Sequence, residues 1–141
     1  MATPSVEDRN AINDLFVRYM WALDAGDVDG VIGCFTRDGT LESPSVGKYS
    51  GPDGLREFAS RLSGFRARGN LLRHFITNMI IVVTGDTGRA QCYLAVFLVS
   101  GGTSRLLAPG RYDCRLAKEN GEWRFRNRLV VMDHDYVLEG I

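Results

Sequence analysis

The stretch HFITNMIIVVTGDTGRAQCYLAVFLV, residues 74–99, decides the fold class. His74–Val83 is rich in Ile, Val, Thr and Phe, the composition of a strand. Thr84–Gly88 is turn material, and Arg89–Val99 returns as a second long strand. Gly101-Gly102 breaks that strand, and a third spans about Leu106–Ala117. Asn120-Gly121 is a two-residue hairpin signal. The last strand runs from Glu122 to about Asp133.

Upstream the spacing changes from two residues to between three and four. Ser5-Val6-Glu7-Asp8 has the pattern of a capping box. Ile12, Leu15, Phe16, Tyr19, Met20 and Leu23 then form one apolar face of a long helix. Gly26 stops it, and Asp27 caps a shorter helix with the face Val28, Val31, Ile32 and Phe35. Arg37-Asp38-Gly39 reads as a turn, Thr40–Ser43 as a short strand and Pro44–Gly51 as a loop. Pro52 suits a first helical turn. The face Leu55, Phe58, Ala59, Leu62 and Phe65 carries a third helix to Gly69. Helices first and strands last predict an α+β domain over residues 1–141. Its helices pack on one face of a curved, mainly antiparallel sheet, which can enclose a cavity.

The chain has 141 residues, 45% of them hydrophobic and 24% charged, as in ordinary globular domains. Lys+Arg and Asp+Glu both number 17, so no basic surplus points to nucleic acid or an acidic membrane. No run approaches the roughly 18 apolar residues of a membrane span, and Met1–Arg9 lacks a signal-peptide layout. The expectation is a cytoplasmic protein. Cys34, Cys92 and Cys114 are widely spaced, with no CxxC, and read as buried reduced thiols. Asp133-His134-Asp135 has metal-ligand residue types, but a solvated terminal segment is the plainer reading. Neither a metal nor another cofactor is expected.

One acid stands out. Asp24, in RYMWALDAGD (residues 18–27), falls where the first helix ends. Carbonyl groups there carry partial negative charge and disfavour a carboxylate by roughly 0.3–1 kcal/mol. At 100° per residue Asp24 lies at the edge of the apolar face, beside Met20, while Tyr19 lies near its centre. Asp24 is either a solvated helix end or an acid turned into a cavity toward a partner. His74, one of two histidines, is the candidate partner. It shares a side-chain parity with Ile76, Asn78 and Ile80, on a face that carries core residues. It is either a satisfied core histidine or half of an Asp–His pair. Such a pair fixes the imidazole tautomer and makes a general base near neutral pH.

RYMWALDAGDVDGVIGCF, RHFITN and GRYDCRLAKENGEWRFRNRLVVMDHDY together resemble the SnoaL-like (nuclear transport factor 2-like) superfamily over nearly the whole chain. The likeness is greatest to the branch with scytalone dehydratase, hexachlorocyclohexane dehydrochlorinase and bile-acid 7α-dehydratase. The resemblance implies a cone-shaped α+β barrel with three N-terminal helices and a strongly bent sheet. It also implies roles for four residues: Asp24 and His74 as the acid–base pair, Tyr19 as a hydrogen-bond donor and Arg128 as a catalytic arginine. Scytalone dehydratase takes a second histidine from the strand after its base. Here Arg89–Val99 holds only Tyr93 in that role, which argues against scytalone as substrate.

Arg128 shares parity with Arg124 and Arg126, opposite Trp123, Phe125, Asn127 and Leu129. Simple alternation leaves all three arginines facing solvent or a subunit contact. Arg128 enters alone only if a bulge breaks the parity or the strand passes the barrel mouth. Trp21, Phe35, Phe58, Phe75, Tyr93, Phe97 and Met132 are expected to line a pocket for a flat apolar ligand. Asn78 shares the His74 face, and Tyr49 covers the pocket or lies on the surface.

The resemblance implies a cofactor-independent lyase, or an isomerase or cyclase, acting on a small hydrophobic ring compound. The alternative is a non-catalytic binding or accessory protein, like the β-subunits of ring-hydroxylating dioxygenases. A homo-oligomer, dimer or trimer, is expected in either case.

Overall fold

A computed structural model describes residues 3–44 and 46–138. The elements in chain order are α1 (Val6–Ala25), α2 (Val28–Ile32), β1 (Phe35–Ser43), β2 (Gly47–Ser50), α3 (Gly51–Ala67), β3 (Leu71–Thr84), β4 (Thr87–Ser100), β5 (Thr103–Glu119) and β6 (Glu122–Met132). The strands form one sheet in the order β2-β1-β6-β5-β4-β3. Every neighbouring pair is antiparallel except β1 and β6, which are parallel. The sheet curves but does not close, since β2 and β3 remain edges. It is therefore a curved open sheet, and the expected barrel is incomplete. α1 lies against β3 and β6, and α3 against β1, β2 and β3. No helix among the described residues is long and apolar enough to cross a membrane.

Local chemistry sets the helix ends. Ser5 caps α1 by accepting the Asp8 backbone N–H at 3.1 Å. The Asp8 carboxylate accepts Trp123 Nε1–H at 2.9 Å and meets Lys118 Nζ at 3.5 Å. The start of α1 is thereby tied to the β5–β6 hairpin. The Trp123 hydrogen bond leads in holding the Asp8 carboxyl below its ordinary value. Gly26 ends α1 at φ +74°, a left-handed conformation that favours glycine, and Asp27 N–H bonds back to the Ala22 carbonyl. Asp27 then caps α2 by accepting the Gly30 N–H at 3.0 Å.

Two sequence expectations need correction in the connecting region. Phe35 belongs to β1 rather than to the α2 face, and Arg37-Asp38-Gly39 lies inside the same strand. The register jumps from Phe35↔Phe125 to Thr40↔Asn127, so four β1 residues bulge against one on β6. Turn-forming residues here mark that bulge. Pro44–Gly51, read as a loop, contains β2, a four-residue strand paired to β1. Its periodicity is too short to register in sequence.

Phe125 centres the core. Phe16, Phe35 and Tyr19 meet it at ring-centroid distances of 5.1, 5.5 and 5.6 Å. The Phe16 and Tyr19 contacts are edge-to-face and that of Phe35 is tilted; aromatic pairs of this kind add about 0.5–1.5 kcal/mol beyond area burial. Gly39 lets the bulge close over this cluster. A β-carbon there would lie 2.9 Å from Phe35 Cβ and 3.0 Å from the Phe125 carbonyl oxygen.

Gly39→Ala should therefore destabilise the fold by about 1–3 kcal/mol through overpacking. Gly33→Ala should be neutral or mildly stabilising, since Gly33 is right-handed and its nearest new contact is 3.4 Å away. Chemical denaturation of both variants checks the contrast. Equal stabilities would exclude Gly39 as a packing constraint.

Candidate active site

The concave side of the sheet, α1, α3 and the segment after β6 enclose a cavity of about 370 Å³. Most of its wall is apolar, with Leu41, Phe58, Leu94, Val96 and Met132 among the lining residues. The polar lining comes from Tyr19, Ser43, Tyr49, Arg61, His74, Tyr112 and Tyr136.

Asp24 reaches from the last turn of α1 to the start of β3. Its Oδ2 accepts the His74 backbone N–H at 3.0 Å, and its Oδ1 lies 2.5 Å from His74 Nδ1. The two side chains are only 12% and 9% exposed, so solvent barely competes for either group. An ionised carboxylate only accepts, so Nδ1 carries the shared proton and Nε2 keeps its lone pair in the neutral ring. His74 borders the cavity. Asp24 lies behind it, in a narrow crevice with Leu23, Asn70 and Arg66. The arrangement runs cavity, imidazole, carboxylate. The last turn of α1 holds no basic residue, so the two His74 contacts compensate the unfavourable helix end.

Arg128 is fully buried, and a bulge brings it in. Arg115 pairs with Asn127 but Leu116 pairs with Phe125, which leaves Arg126 as the extra residue. Phe125 and Arg128 consequently both face inward. The Arg128 guanidinium carbon sits 3.6 Å from the Tyr112 ring centroid and 4.1 Å from that of Tyr19. Arg128 is absent from the cavity wall and lies behind Tyr19 and Tyr112, which are part of it. Burial pushes the Tyr19 phenol up to about 12, and the Arg128 charge opposes that shift. Burial also raises Tyr112, again against the Arg128 charge. Both phenols are protonated donors at neutral pH.

Tyr49 is buried and lines the cavity. Its hydroxyl donates to the Val46 carbonyl at 3.1 Å and accepts from Arg61 at 3.2 Å, and its ring packs on Phe58 at 5.3 Å. Other expected pocket residues lie elsewhere. Trp21 is 76% exposed on the outer side of α1. Phe35 packs in the core beside Tyr19 instead of lining the cavity. Tyr93 is exposed, and Phe97 packs at a tilt on exposed Phe75, with ring centroids 5.0 Å apart, on the outer sheet face. Asn78 is exposed at φ +59° in a β3 bulge, where the register shifts between Thr77↔Tyr93 and Ile80↔Gln91. That bulge ends the expected shared face, turning Ile80 outward and Ile81 inward.

Sequence reasoning missed Tyr112, Arg61 and Tyr136. A signal existed for Tyr112, because Tyr112, Cys114 and Leu116 alternate with Arg111, Asp113 and Arg115. The same alternation, with Cys92, Leu94 and Val96 inward, puts Tyr93 and Phe97 outside. Cys34, Cys92 and Cys114 are free and buried. Burial pushes the Cys92 thiol up to about 11 and that of Cys114 to about 12, which leaves them unreactive. Among the described residues no group of three or more His, Cys, Asp or Glu could hold a metal. Asp133 and Asp135 are exposed, and His134 Nδ1 lies 3.0 Å from the Asp135 carbonyl.

Comparisons with solved structures support the fold. A protein of unknown function from Mycobacterium tuberculosis, solved as an Asp-to-Asn variant, is 30% identical with a TM-score of 0.83. That match covers 93% of this chain and 79% of the other. A Novosphingobium aromaticivorans protein whose name proposes an aromatic ring hydroxylase is 25% identical with a TM-score of 0.82, over 96% and 95% of the two chains. LinA is 22% identical with a TM-score of 0.80, over 96% and 92%. A search of curated proteins returns no match. The SnoaL-like domain family matches residues 4–129, from before α1 into β6, and with this span and the α+β architecture the chain belongs to that family.

Proposed function

We propose that the protein is a cofactor-independent lyase of the dehydratase kind, or an isomerase or cyclase using the same parts, acting on a small hydrophobic ring compound. The observation that carries this reading is the Asp24–His74 pair, with its imidazole on the wall of an apolar cavity. In elimination, His74 Nε2 takes a proton from a carbon beside an electron-withdrawing group. The C–H electron pair becomes the new C=C bond. The C–O bond of the leaving hydroxyl breaks, and that hydroxyl leaves as water by taking from His74 Nε2 the proton it removed, which returns the ring to its neutral form. Tyr19 donates a hydrogen bond to the developing enolate oxygen or to the departing hydroxyl. A positioned base contributes about 10²–10⁴ in rate, and an aimed donor adds a similar order. Asp24 acts by holding the tautomer.

Asp24→Asn separates chemistry from stability. The Asn oxygen can still accept the His74 N–H, while its amide must donate to Nδ1. The ring then carries its proton on Nε2 and presents a donor to the cavity. Activity should fall at least about 10²-fold, with stability within about 1 kcal/mol of the wild type because the helix-end conflict is relieved. His74→Ala should be at least as damaging, and the double variant no worse than the worse single one. Turnover of hydroxylated ring compounds found by a thermal-shift screen supplies the assay. Near-normal turnover by Asp24→Asn would refute the pair. Ligand binding without turnover would favour the non-catalytic accessory reading, to which the ring-hydroxylase name of one neighbour points.

The same reading includes a homo-oligomer, dimer or trimer. Phe75, Ile80 and Tyr93 are 58, 57 and 61% exposed on the outer face of β3 and β4, a patch that self-association would cover. Sedimentation at micromolar concentration should give an oligomer, and Tyr93→Glu should shift it toward monomer. A wild-type monomer would end this part of the proposal. Three free buried thiols fit a reducing compartment such as the cytoplasm.

A further inference from the structure

Arg128 is a buried cation without a counter-ion among the described residues. Its Nη1 reaches Cys114 Sγ at 3.3 Å, a weak acceptor, while Nε and Nη2 have no hydrogen-bond partner. Among the described residues it forms no ion pair. What surrounds it is aromatic. Phe125 and Phe16 add ring contacts at 4.5 and 5.0 Å to the closer ones from Tyr112 and Tyr19. Ring faces attract a cation but leave its fork of N–H donors unmet. A guanidinium cannot shed its charge, and an unpaired buried charge is strongly destabilising.

The geometry gives that charge an outlet. Phe16 and Phe125 separate Arg128 from nothing but core, whereas Tyr19 and Tyr112 separate it from the cavity. Among the described residues no carboxylate lines the cavity, because Asp24 sits behind His74, and the lining side chain with a fixed charge is Arg61, a second cation. A negative oxygen at the Tyr19–Tyr112 wall would meet two phenol groups, with a guanidinium one ring behind them; among the described residues the Tyr112 hydroxyl donates only to Met20 Sδ at 3.9 Å, a weak acceptor that an anionic oxygen would displace. Where a ligand displaces water from an apolar wall, a charge at that separation is screened less than in bulk solvent.

We propose that Arg128 acts on the ligand without touching it, supplying through Tyr19 and Tyr112 the counter-charge for a negative oxygen held at that wall. Tyr112 thereby joins Tyr19 as a ligand-contacting donor, and Arg128 is a positioning residue. This rests on the reading that His74 removes a proton, since the electron pair it leaves behind is what Arg128 stabilises.

The test needs no knowledge of the natural substrate. Nitrophenols absorb at longer wavelength when ionised, so titrating para-nitrophenol against pH in the presence of protein reads the ionisation of the bound ligand. The wild type should favour bound phenolate over bound phenol by at least about tenfold, one unit in apparent pKa. Tyr112→Phe should erode that preference, Tyr19→Phe/Tyr112→Phe and Arg128→Gln should abolish it, and Arg128→Lys should retain part of it. If Arg128→Gln fails to fold, the two tyrosine variants decide. Asp24→Asn should keep or raise the preference, since its imidazole then presents an N–H to the cavity, while losing turnover, which separates this proposal from the acid–base reading. No binding, equal affinity for both forms, or an undiminished preference in the double tyrosine variant would overturn it.

Discussion

A carboxylate at the end of α1 joins two elements that lie fifty residues apart. Asp24 spends one oxygen on the His74 backbone and the other on its ring. The backbone bond pins the start of β3 against the helix end, and the ring bond orients the imidazole toward the cavity. Neither contact would be strong in water. Both groups are nearly buried, so little solvent screens them, and a charge-assisted hydrogen bond is roughly twice as strong as a neutral one. The helix end opposes a negative charge, so the acid is stable there only while those two donors are in place.

The other features of the site depend on irregularities in the strands. A regular strand presents alternate residues to one face. The bulge at Arg126 breaks that rule, so Phe125 and Arg128 both point inward. The bulge at Asn78 breaks it again, so the face carrying His74 and Ile76 continues through Ile81 and Val83 instead of Ile80. The β1 bulge at 36–39 brings Phe35 into the same aromatic cluster. Each bulge also adds local twist, which bends the sheet around the helices. Curvature, cavity and the placing of Arg128 thus share one cause.

The cavity's electrostatics follow from what lines it and what stands behind it. The carboxylate nearest the cavity is shielded by the imidazole, and the buried cation by two phenols. An apolar space between an imidazole and a wall of two phenols is the setting that the proposed proton transfer requires. Aromatic packing provides rigidity, since Tyr19 is fixed by Phe35 and Phe125 as well as by Arg128.

Much of the fold was legible in the chain because it depends on local periodicity. The spacing of Ile12 through Leu23, the caps at Ser5 and Asp27, Gly26 as a stop, and Asn120-Gly121 between strands each act within a few residues. The odd position of Asp24 was legible for the same reason. What occupies a strand face was only partly so: alternation marks Tyr112 as inward and Phe97 as outward, but it fails at every bulge. Bulges depend on how two strands meet, and no single strand records its partner's register. The short β2, the open sheet edge, the meeting of Asp24 with His74 and the burial of Arg128 between two tyrosines were decided by tertiary structure alone. They arise from contacts across 50, 14 and more residues, whose energies exist only once the sheet has curved around α1.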